Sequence, residues 1–249
     1  MSSKKTINFL IVGQGIAGTT LAHKLYENGK SVHLIDNNYQ SSSSLIAGGV
    51  IHPMSFKRAI LSWKADALIP VAKAYYDAFE TAFKTKVFHE LDMIRVFSTM
   101  EEQNNWQGRM ADSPMKEIIG DEELGLGFPL GSGKVNMAGR LDVALYLSRS
   151  NKFFKEEKII SEEQFDYSQL SHSETGIEYK GIEAENIIFC EGFKISQNPY
   201  FNYIPLSPTK GEVLIIKTKE LPDCILSQGC FVMPIGDAKY VLGATYDRE

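Results

Sequence analysis

The pattern of hydrophobic and polar positions is clearest at the start of the chain. An unbroken apolar run over residues 9–12 predicts a strand that is buried on both faces. Apolar residues then recur at helical spacing from Ala17 to Leu25, and Gly29 stands where a left-handed residue ends a helix. A second strand is predicted over residues 31–35. The first part of the chain therefore predicts a strand–helix–strand unit.

Glycines occupy the turn between the first strand and the helix. Gly13, Gly15 and Gly18 form a G-x-G-x-x-G pattern that also contains Ile16 and Ala17. In such a pattern the first glycine permits a tight turn, the second lets the backbone approach a pyrophosphate, and the third lets the helix pack closely. The helix N-terminus adds free N–H groups and a partial positive charge. The segment predicts a dinucleotide-binding turn, with an ordinary glycine-rich turn as the alternative.

The acid at the end of the second strand narrows the choice of dinucleotide. Asp36 stands 23 positions after Gly13, near the expected interval of about 20. A carboxylate there can accept hydrogen bonds from both hydroxyls of an adenosine ribose, and it disfavours a 2′-phosphate. The pattern therefore predicts FAD or NAD rather than NADP.

A polar loop over residues 37–44 leads into a second glycine segment. Asn37 is either a neighbour of the adenosine or a turn residue. Ala47, Gly48, Gly49 and Val50 follow, and paired glycines indicate either a turn or a backbone brought close to a ligand. Because the pair comes soon after the predicted ribose-binding acid, we favour the close approach to a ligand.

Two side chains beyond this segment are candidates for binding or catalysis. His52 can bond to a flavin ring or a substrate, or it can be a structural histidine. Arg95 lies in a strand predicted over residues 91–97 and can hold a substrate carboxylate bidentately, although a solvated or salt-bridged arginine is the simpler account. Thr99 and Glu102 form a capping box that opens a helix.

The rest of the pattern mixes helices with short strands. A helix over residues 56–84, kinked or restarted at Pro70, carries an aromatic stripe that we assign to the core. Loops and one short helix are predicted over 112–135, and a helix over 138–148. Strands are predicted over residues 158–160, 164–170, 176–180, 184–192, 211–217, 230–234 and 240–245, with a hairpin turn between the last two.

Composition and charge exclude several classes of protein. A chain of 249 residues suits one large domain or two small ones. A net charge of −5 does not indicate nucleic acid or an acidic membrane surface as a partner. Three cysteines without metal-like spacing are typical of reduced thiols in a cytoplasmic protein, and no metal site is expected. We find no apolar window long enough for a transmembrane segment and no signal peptide.

Several of these stretches together resemble the D-amino acid oxidase and glycine oxidase superfamily of FAD-dependent oxidoreductases. The resemblance implies FAD rather than NAD, and an α/β fold in which a Rossmann-like FAD-binding domain contains an inserted, mainly antiparallel β-sheet substrate domain (α+β). The stretches that carry it are IVGQGIAGTTLAHKLYENGKSVHLID (11–36), AGGVIHP (47–53), AENIIFCEGF (184–193), IPLSPTKGEVLII (204–216) and FVMPIGDAKYVLGATYD (231–247).

The resemblance also implies domain boundaries and cofactor contacts. The FAD-binding domain is expected to comprise residues 1–84 and 136–196, and the substrate domain residues 85–135 and 197–249. The residues expected to bind the cofactor are Gly13, Gly15, Ile16, Ala17, Gly18, Asp36, Asn37, Ala47, Gly48, Gly49, Val50, Ile159, Glu191 and Gly192.

The activity implied is oxidation of a C–N bond in a small-molecule amino acid or amine. A hydride passes from the carbon beside the amine to flavin N5, the imine hydrolyses, and oxygen or another electron acceptor reoxidises the flavin. A catalytic triad is not expected. The candidate active-site residues are His52 and Tyr246, followed by Tyr240 and Arg95.

One departure from the superfamily concerns the end of the chain. Superfamily members continue with a segment that carries a Gly-Arg-Pro motif, whose arginine holds the substrate carboxylate, and this C-terminal segment is apparently lacking here. Two alternatives therefore stay open at this point. One is a truncated, non-catalytic FAD-binding protein, and the other is an NAD-linked dehydrogenase.

Overall fold

The computed structural model describes residues 5–38, 42–56, 59–121, 127–173 and 176–247. The helices are α1 (Ile16–Glu27), α2 (Ser43–Ile46), α3 (Ala65–Phe83), α4 (Met100–Met110) and α5 (Val143–Glu156). The strands are β1 (Lys5–Val12), β2 (Val32–Asp36), β3 (Val50–Ile51), β4 (Met54–Ser55), β5 (Ile60–Leu61), β6 (Phe88–Glu90), β7 (Met93–Val96), β8 (Ile119–Asp121), β9 (Ser132–Val135), β10 (Gly139–Leu141), β11 (Ile160–Glu162), β12 (Leu170–Ser173), β13 (Gly176–Tyr179), β14 (Ile182–Phe189), β15 (Val213–Lys217), β16 (Ile225–Ser227), β17 (Phe231–Gly236) and β18 (Lys239–Gly243). Short 3₁₀ helices span Met115–Glu117, Tyr167–Gln169 and Gly192–Gln197.

The chain divides into two compact units. Unit 1 comprises residues 1–47 and 143–208, and unit 2 comprises residues 48–142 and 209–249. The chain thus changes unit after residues 47, 142 and 208, whereas the predicted domain boundaries lie after residues 84, 135 and 196. The assignment of a cofactor domain and a substrate domain to particular residues stays a prediction.

Unit 1 is built on a six-stranded sheet in the order β11-β2-β1-β14-β13-β12. Four neighbouring strands run parallel, namely β11, β2, β1 and β14. β13 and β12 add an antiparallel edge. Leu10 and Ile35 pack in one apolar cluster, while their neighbours Ile11 and Leu34 pack in another with Phe154 of α5. Because neighbouring strand residues point to opposite faces, this division confirms that β1 and β2 are buried on both faces.

Unit 2 is built on a seven-stranded sheet in the order β15-β18-β17-β16-β7-β9-β8. Every pair is antiparallel except β16 and β7, which run parallel. Trp106 of α4 is buried against β9, where a methyl group on Gly133 would lie 2.3 Å from the indole. The fold class is therefore as predicted, α/β with a mainly antiparallel second sheet. Smaller sheets are β3-β10-β6 and β4-β5.

Two of the predicted helices have wrong bounds. The helix predicted from residue 56 begins at Ala65, after β5, and Pro70 lies inside it. Trp63 is 78 % exposed and Leu68 is 49 % exposed, so the aromatic and apolar stripe belongs to the core only further along α3. The helix predicted from residue 138 begins at Val143, because residues 139–141 pair as β10 between β3 and β6.

Two strands lie in a region that we predicted as loops. β8 and β9 pair with each other between residues 112 and 135. β9 contains Ser132 and Gly133, which have low β-propensity, and its place between β7 and β8 decides its conformation. The predicted strand at 158–160 is displaced to residues 160–162. Parts of the predicted loop over 37–44 and of the predicted helix from 56, namely 39–41 and 57–58, lie outside the described residues.

Candidate functional site

The glycine turn of unit 1 has the conformation that its sequence predicts. Gly13 has φ of +101°, and a methyl group there would lie 2.5 Å from the carbonyl oxygen of Cys190. A methyl group on Gly18 would lie 2.0 Å from the carbonyl oxygen of Gly13. Gly18 is therefore required because α1 packs against the turn itself, and Gly13 because β14 returns beside it.

The N-terminus of α1 retains hydrogen-bond donors. The backbone N–H of Ile16 donates to Ser44 Oγ at 3.2 Å, and that of Thr19 donates to the Gly15 carbonyl at 3.0 Å. The N–H groups of Ala17 and Gly18 have no partner among the residues that the structure describes. Free N–H groups at a helix start, together with the helix dipole, suit a phosphate.

Asp36 is tied to the glycine turn. Its Oδ2 accepts a hydrogen bond from the backbone N–H of Gln14 at 2.8 Å. Next to it, the Asn37 amide donates to Gln164 Oε1 at 2.9 Å. The end of β2 is thus held beside the turn, and the predicted ribose-binding acid lies at the predicted phosphate site.

A cleft of 430 Å³ in unit 1 joins these features. The predicted cofactor-binding residues that line it are Gly13, Gly15, Ile16, Ala17, Asp36, Asn37, Glu191 and Gly192. The lining residues that were not predicted from the sequence are Val12, Ile35, Ser42, Ser43, Ser44, Glu163, Gln164, Phe165, Phe189, Cys190, Phe193, Lys194 and Ile195. The serines had a sequence signal, because they follow the predicted ribose-binding acid. A turn that only glycine can form, free N–H donors and a carboxylate fit the adenosine diphosphate part of FAD.

Three predicted cofactor residues in unit 1 do not line this cleft. Gly18 packs against the Gly13 carbonyl, and Ala47 is the residue that follows α2. The carbonyl of Ile159 accepts a hydrogen bond from Leu34 N–H at 2.8 Å, and its side chain packs against the cluster that contains Leu34. Their cofactor contacts stay predictions.

Glu191 follows β14, and both of its carboxylate oxygens are bonded. Oε1 accepts a hydrogen bond from the Tyr167 hydroxyl, and Oε2 accepts one from the Asn198 amide at 2.7 Å. Burial and the bond to Glu191 together raise the pKa of the Tyr167 hydroxyl. Burial likewise raises the pKa of the neighbouring Cys190 thiol. The bonds orient the Glu191 side chain towards partners within unit 1.

Unit 2 contains a cavity of 690 Å³, within the usual size range of small-molecule sites. It brings together His52 and Arg95, two of the four predicted active-site residues. Both contact Phe56: the His52 ring stacks on it with centroids 5.0 Å apart, and the guanidinium carbon of Arg95 lies 5.0 Å from its centroid. Other residues that line the cavity, which sequence reasoning did not place there, are Thr99, Glu101, Glu102, Asn105, Trp106 and Phe231.

Arg95 is held by hydrogen bonds from two sides. Its Nε donates to Glu102 Oε1 at 2.6 Å, and its Nη1 donates to Ser227 Oγ at 3.3 Å and to the Gln228 carbonyl. Glu102 Oε2 also accepts from the Ser98 N–H, and Thr99 Oγ1 accepts from the Glu102 N–H at 3.1 Å. This confirms the predicted cap of α4, and it shows that the capping glutamate also holds Arg95.

His52 has an unpaired ring nitrogen. Its Nδ1 is buried and has no hydrogen-bond partner among the described residues. Burial lowers the pKa of His52, against a weaker upward effect of the Met54 backbone. A neutral imidazole with an unpaired nitrogen, in a cavity that also contains a fixed arginine, is suited to binding a polar molecule.

The paired glycines come close to a side chain of unit 2. A methyl group on Gly48 would lie 3.0 Å from Phe231 Cζ. Gly49 has φ of +75°, and its carbonyl accepts a hydrogen bond from Leu141 N–H at 2.9 Å. Val50, the next residue, lines the cavity. The segment thus contains the tight turn that the sequence left as one alternative, and its approach to a ligand stays a prediction.

The two predicted tyrosines are not brought into this cavity. Tyr240 is buried, and its hydroxyl donates to the Leu221 carbonyl at 2.7 Å. Tyr246 is 68 % exposed. Neither is among the residues that line the cavity, and a catalytic role for either stays a prediction.

Comparison with known proteins gives the family. The model of the family DAO, described as FAD dependent oxidoreductase, matches residues 8–249. The chain belongs to this family of FAD-dependent oxidoreductases. Its cofactor is FAD, which decides between the two dinucleotides that the fingerprint allowed.

Solved structures show that the oxidoreductase shares its fold with several enzymes. Iminodiacetate oxidase from Chelativorans sp. BNC1 is 17 % identical with a TM-score of 0.72, over 96 % of this chain and 72 % of that one. Glycine oxidase from Geobacillus kaustophilus is also 17 % identical with a TM-score of 0.72, over 97 % and 72 %. FAD-bound L-alpha-glycerophosphate oxidase from Mycoplasma pneumoniae is 17 % identical with a TM-score of 0.67, over 97 % and 72 %.

Membrane-spanning helices and clusters of metal ligands are absent from the described part of this oxidoreductase. No described helix is both long enough and apolar enough to cross a membrane. In the same ranges, no group of three or more His, Cys, Asp or Glu residues is placed to hold a metal ion.

Proposed function

We propose that this oxidoreductase oxidises a C–N bond of an amino acid or related amine. The proposal assigns the diphosphate and adenosine of FAD to the cleft of unit 1 and the small-molecule substrate to the cavity of unit 2. The observation that carries it is the cavity itself, which contains an arginine fixed by hydrogen bonds and a histidine with an unpaired nitrogen. The names of the glycine and iminodiacetate oxidases, which share the fold, support an amine substrate.

The residues of unit 1 bind and orient the cofactor. The free N–H group of Ala17 donates to the diphosphate at the N-terminus of α1, and the Asp36 carboxylate accepts from the ribose hydroxyls. Bound FAD supplies the hydride acceptor, and oxygen or another electron acceptor takes the electrons afterwards.

The residues of unit 2 bind and orient the substrate. Arg95 offers its guanidinium to a carboxylate or another acceptor group, and its other bonds keep it in one position. Neutral His52 forms part of the wall of the same cavity, where its imidazole limits how the substrate amine is placed. Phe56, Trp106 and Phe231 provide apolar walls that limit access of water.

A visible absorption spectrum of the purified protein, before and after precipitation, tests the cofactor part of the proposal. We expect flavin bands that pass into the supernatant if the FAD is held non-covalently. Anaerobic addition of a panel of amino acids and amines tests the substrate part, since a substrate will bleach the flavin. Arg95→Lys and His52→Ala should each raise the KM of that substrate, with Glu117→Gln as a matched surface control.

Each outcome bears on a different part of the proposal. A flavoprotein that no amine or amino acid bleaches would refute the proposed oxidation and support a non-catalytic FAD-binding protein. Bleaching by a hydroxy acid or glycerol phosphate would show a C–O substrate instead. A protein without flavin that takes up no added FAD would refute the cofactor site in unit 1.

A further inference from the structure

The return of the chain from β14 to the cleft of unit 1 is held by a half-buried network of polar side chains. Glu191 lies at its centre, directly after β14, with Tyr167 and Asn198 bonded to its two oxygens. Asn198 is completely buried, and its own side-chain oxygen accepts a hydrogen bond from Tyr200 N–H at 2.8 Å. The Tyr167 hydroxyl, both carboxylate oxygens of Glu191 and both polar atoms of the Asn198 side chain are therefore hydrogen-bonded.

The turn formed by residues 190–192 contacts the glycine turn through its backbone. Cys190 N–H donates to the Val12 carbonyl at 2.7 Å, and the Cys190 carbonyl oxygen would lie 2.5 Å from a methyl group on Gly13. Cys190, Glu191 and Gly192 all line the cleft. A displacement of this turn must therefore move the wall of the cleft and the loop that contacts it.

A carboxylate in the wall of a diphosphate-binding cleft requires an explanation. Carboxylate and diphosphate repel each other, and an unpaired carboxylate in a half-buried place is costly. Two donors from within unit 1 satisfy both oxygens of Glu191. Each oxygen of the side chain that was predicted to contact the cofactor thus already accepts a hydrogen bond from a protein group.

We propose that Tyr167 and Asn198 are positioning residues for FAD. By bonding to Glu191 they hold the turn of residues 190–192 against the glycine turn, in the conformation that binds the cofactor. The inference rests on the cofactor site proposed above for unit 1. Tyr167 acts at a distance, because it bonds to Glu191 and is not itself among the residues that line the cleft.

Removing the Tyr167 hydroxyl tests the role directly. Tyr167→Phe leaves the ring in its apolar cluster and deletes the donor to Glu191. We expect the Kd for FAD, from quenching of flavin fluorescence by the apoprotein, to rise about tenfold, the usual effect of losing one hydrogen bond to a charged group. Unchanged affinity in this variant would overturn the proposal.

Tyr179→Phe is the matched control. Tyr179 is a buried tyrosine of the same apolar cluster, and its hydroxyl accepts a hydrogen bond from Asp166 N–H at 3.2 Å. Both variants should lower the urea midpoint, but Tyr179→Phe should leave the Kd for FAD within about twofold of the original protein. Equal losses of FAD affinity in both variants would indicate a general effect on the stability of unit 1 and would count against positioning.

Two substitutions of Glu191 separate geometry from charge. In Glu191→Gln the new amide can donate to Tyr167 and its oxygen can accept from Asn198, so both bonds are kept without the charge. Glu191→Ala removes both. We expect Glu191→Gln to bind FAD within about threefold of the original protein and Glu191→Ala about tenfold more weakly or worse.

The outcomes distinguish this inference from the cofactor site on which it rests. If Glu191→Gln loses as much affinity as Glu191→Ala, the charge matters rather than the position, and the proposal is wrong. If the original protein binds FAD and Tyr167→Phe binds it equally well, only the positioning role fails. If the original protein takes up no FAD, the cofactor site in unit 1 fails, and this proposal fails with it.

Discussion

The carboxylate of Asp36 accepts a hydrogen bond of 2.8 Å from the backbone N–H of Gln14. The bond connects the last residue of β2 to the second residue of the glycine turn, although the two are far apart in sequence. One side chain therefore sets the conformation of the turn and also places an acceptor at the edge of the cofactor cleft.

Substitutions of Asp36 should separate these two effects. Asp36→Asn keeps an oxygen for the Gln14 N–H but loses the charge, whereas Asp36→Ala loses both. Because bonds to a charged acceptor are worth about 1.5–3 kcal/mol, we expect the Kd for FAD to rise about tenfold in the first variant and about 100-fold in the second. Titration of the apoprotein with FAD measures this, with Asp66→Asn in unit 2 as the control. Tight FAD binding by Asp36→Ala would contradict the assignment.

Gly13 should be far less tolerant of alanine than Gly29. Both have positive φ, +101° and +71°, so both variants incur the left-handed penalty of about 1–2 kcal/mol. At Gly29 nothing lies within 4 Å of the new methyl group, but at Gly13 a carbonyl oxygen lies 2.5 Å away. We expect Gly13→Ala to lower the free energy of unfolding by about 2 kcal/mol more than Gly29→Ala, measured with urea. Similar losses would mean that the turn and Cys190 are not in close contact.

His23 should make the protein sensitive to mild acid. It is buried, its Nε2 lies 2.9 Å from Ser150 Oγ, and burial lowers its pKa from 6.5 to about 4, against the smaller upward effect of Glu27. His23 therefore takes up a proton near pH 6.5 in the unfolded chain, whereas in the folded chain it does so only near pH 4. This contribution to stability is complete above pH 6.5 and is lost as the pH falls towards 4.

The effect of His23 can be isolated by substitution. Between pH 7 and pH 5 we expect this one residue to cost about 2 kcal/mol of the free energy of unfolding. His23→Gln should reduce the slope of stability against pH in that interval, whatever its effect at pH 7, and urea unfolding at several pH values measures the slope. The same slope in both proteins would show that His23 is not the group responsible.

Substitution of Glu102 by alanine should destabilise the protein more than the same substitution of its neighbour Glu101. Glu102→Ala removes the acceptor for Arg95 Nε and for the Ser98 N–H. Because the side chains of Arg95 and Glu102 are only 12 % and 19 % exposed, we expect a loss of about 2 kcal/mol in the free energy of unfolding. Glu101→Ala, at an exposed position in the same helical turn, should cost less than about 1 kcal/mol. A substrate identified by bleaching should also show a higher KM with Glu102→Ala, since Arg95 is no longer held.

Features that depend on neighbours in the chain were predictable. The glycine turn, the acid at the end of β2 and the cap of α4 are all specified within short segments, because each reflects local backbone conformation or hydrogen bonding within a few residues. The apolar run of β1 also predicted a strand buried on both faces, and the separate apolar clusters that contain Leu10 and Ile11 confirm it.

Features that depend on distant contacts were not predictable. The hydrogen bond from the Tyr240 hydroxyl to the Leu221 carbonyl joins residues 19 positions apart, and the sequence did not indicate it. The capping role of Glu102 was evident, yet its bond to Arg95 requires α4 to lie over β7. The start of α5 was misplaced because Leu141 stands at helical spacing from Leu145, and only the pairing of residues 139–141 with β3 and β6 makes them a strand.

The sequence by itself determined the glycine turn, the strand–helix–strand unit around it and the family to which they point. Tertiary structure decided which side chains meet: His52 and Arg95 on Phe56, and Tyr167 and Asn198 on Glu191. The physical reason is the range of the interactions. Backbone conformation and capping are settled over a few residues, whereas a cavity or a half-buried carboxylate is completed by groups that only folding brings together.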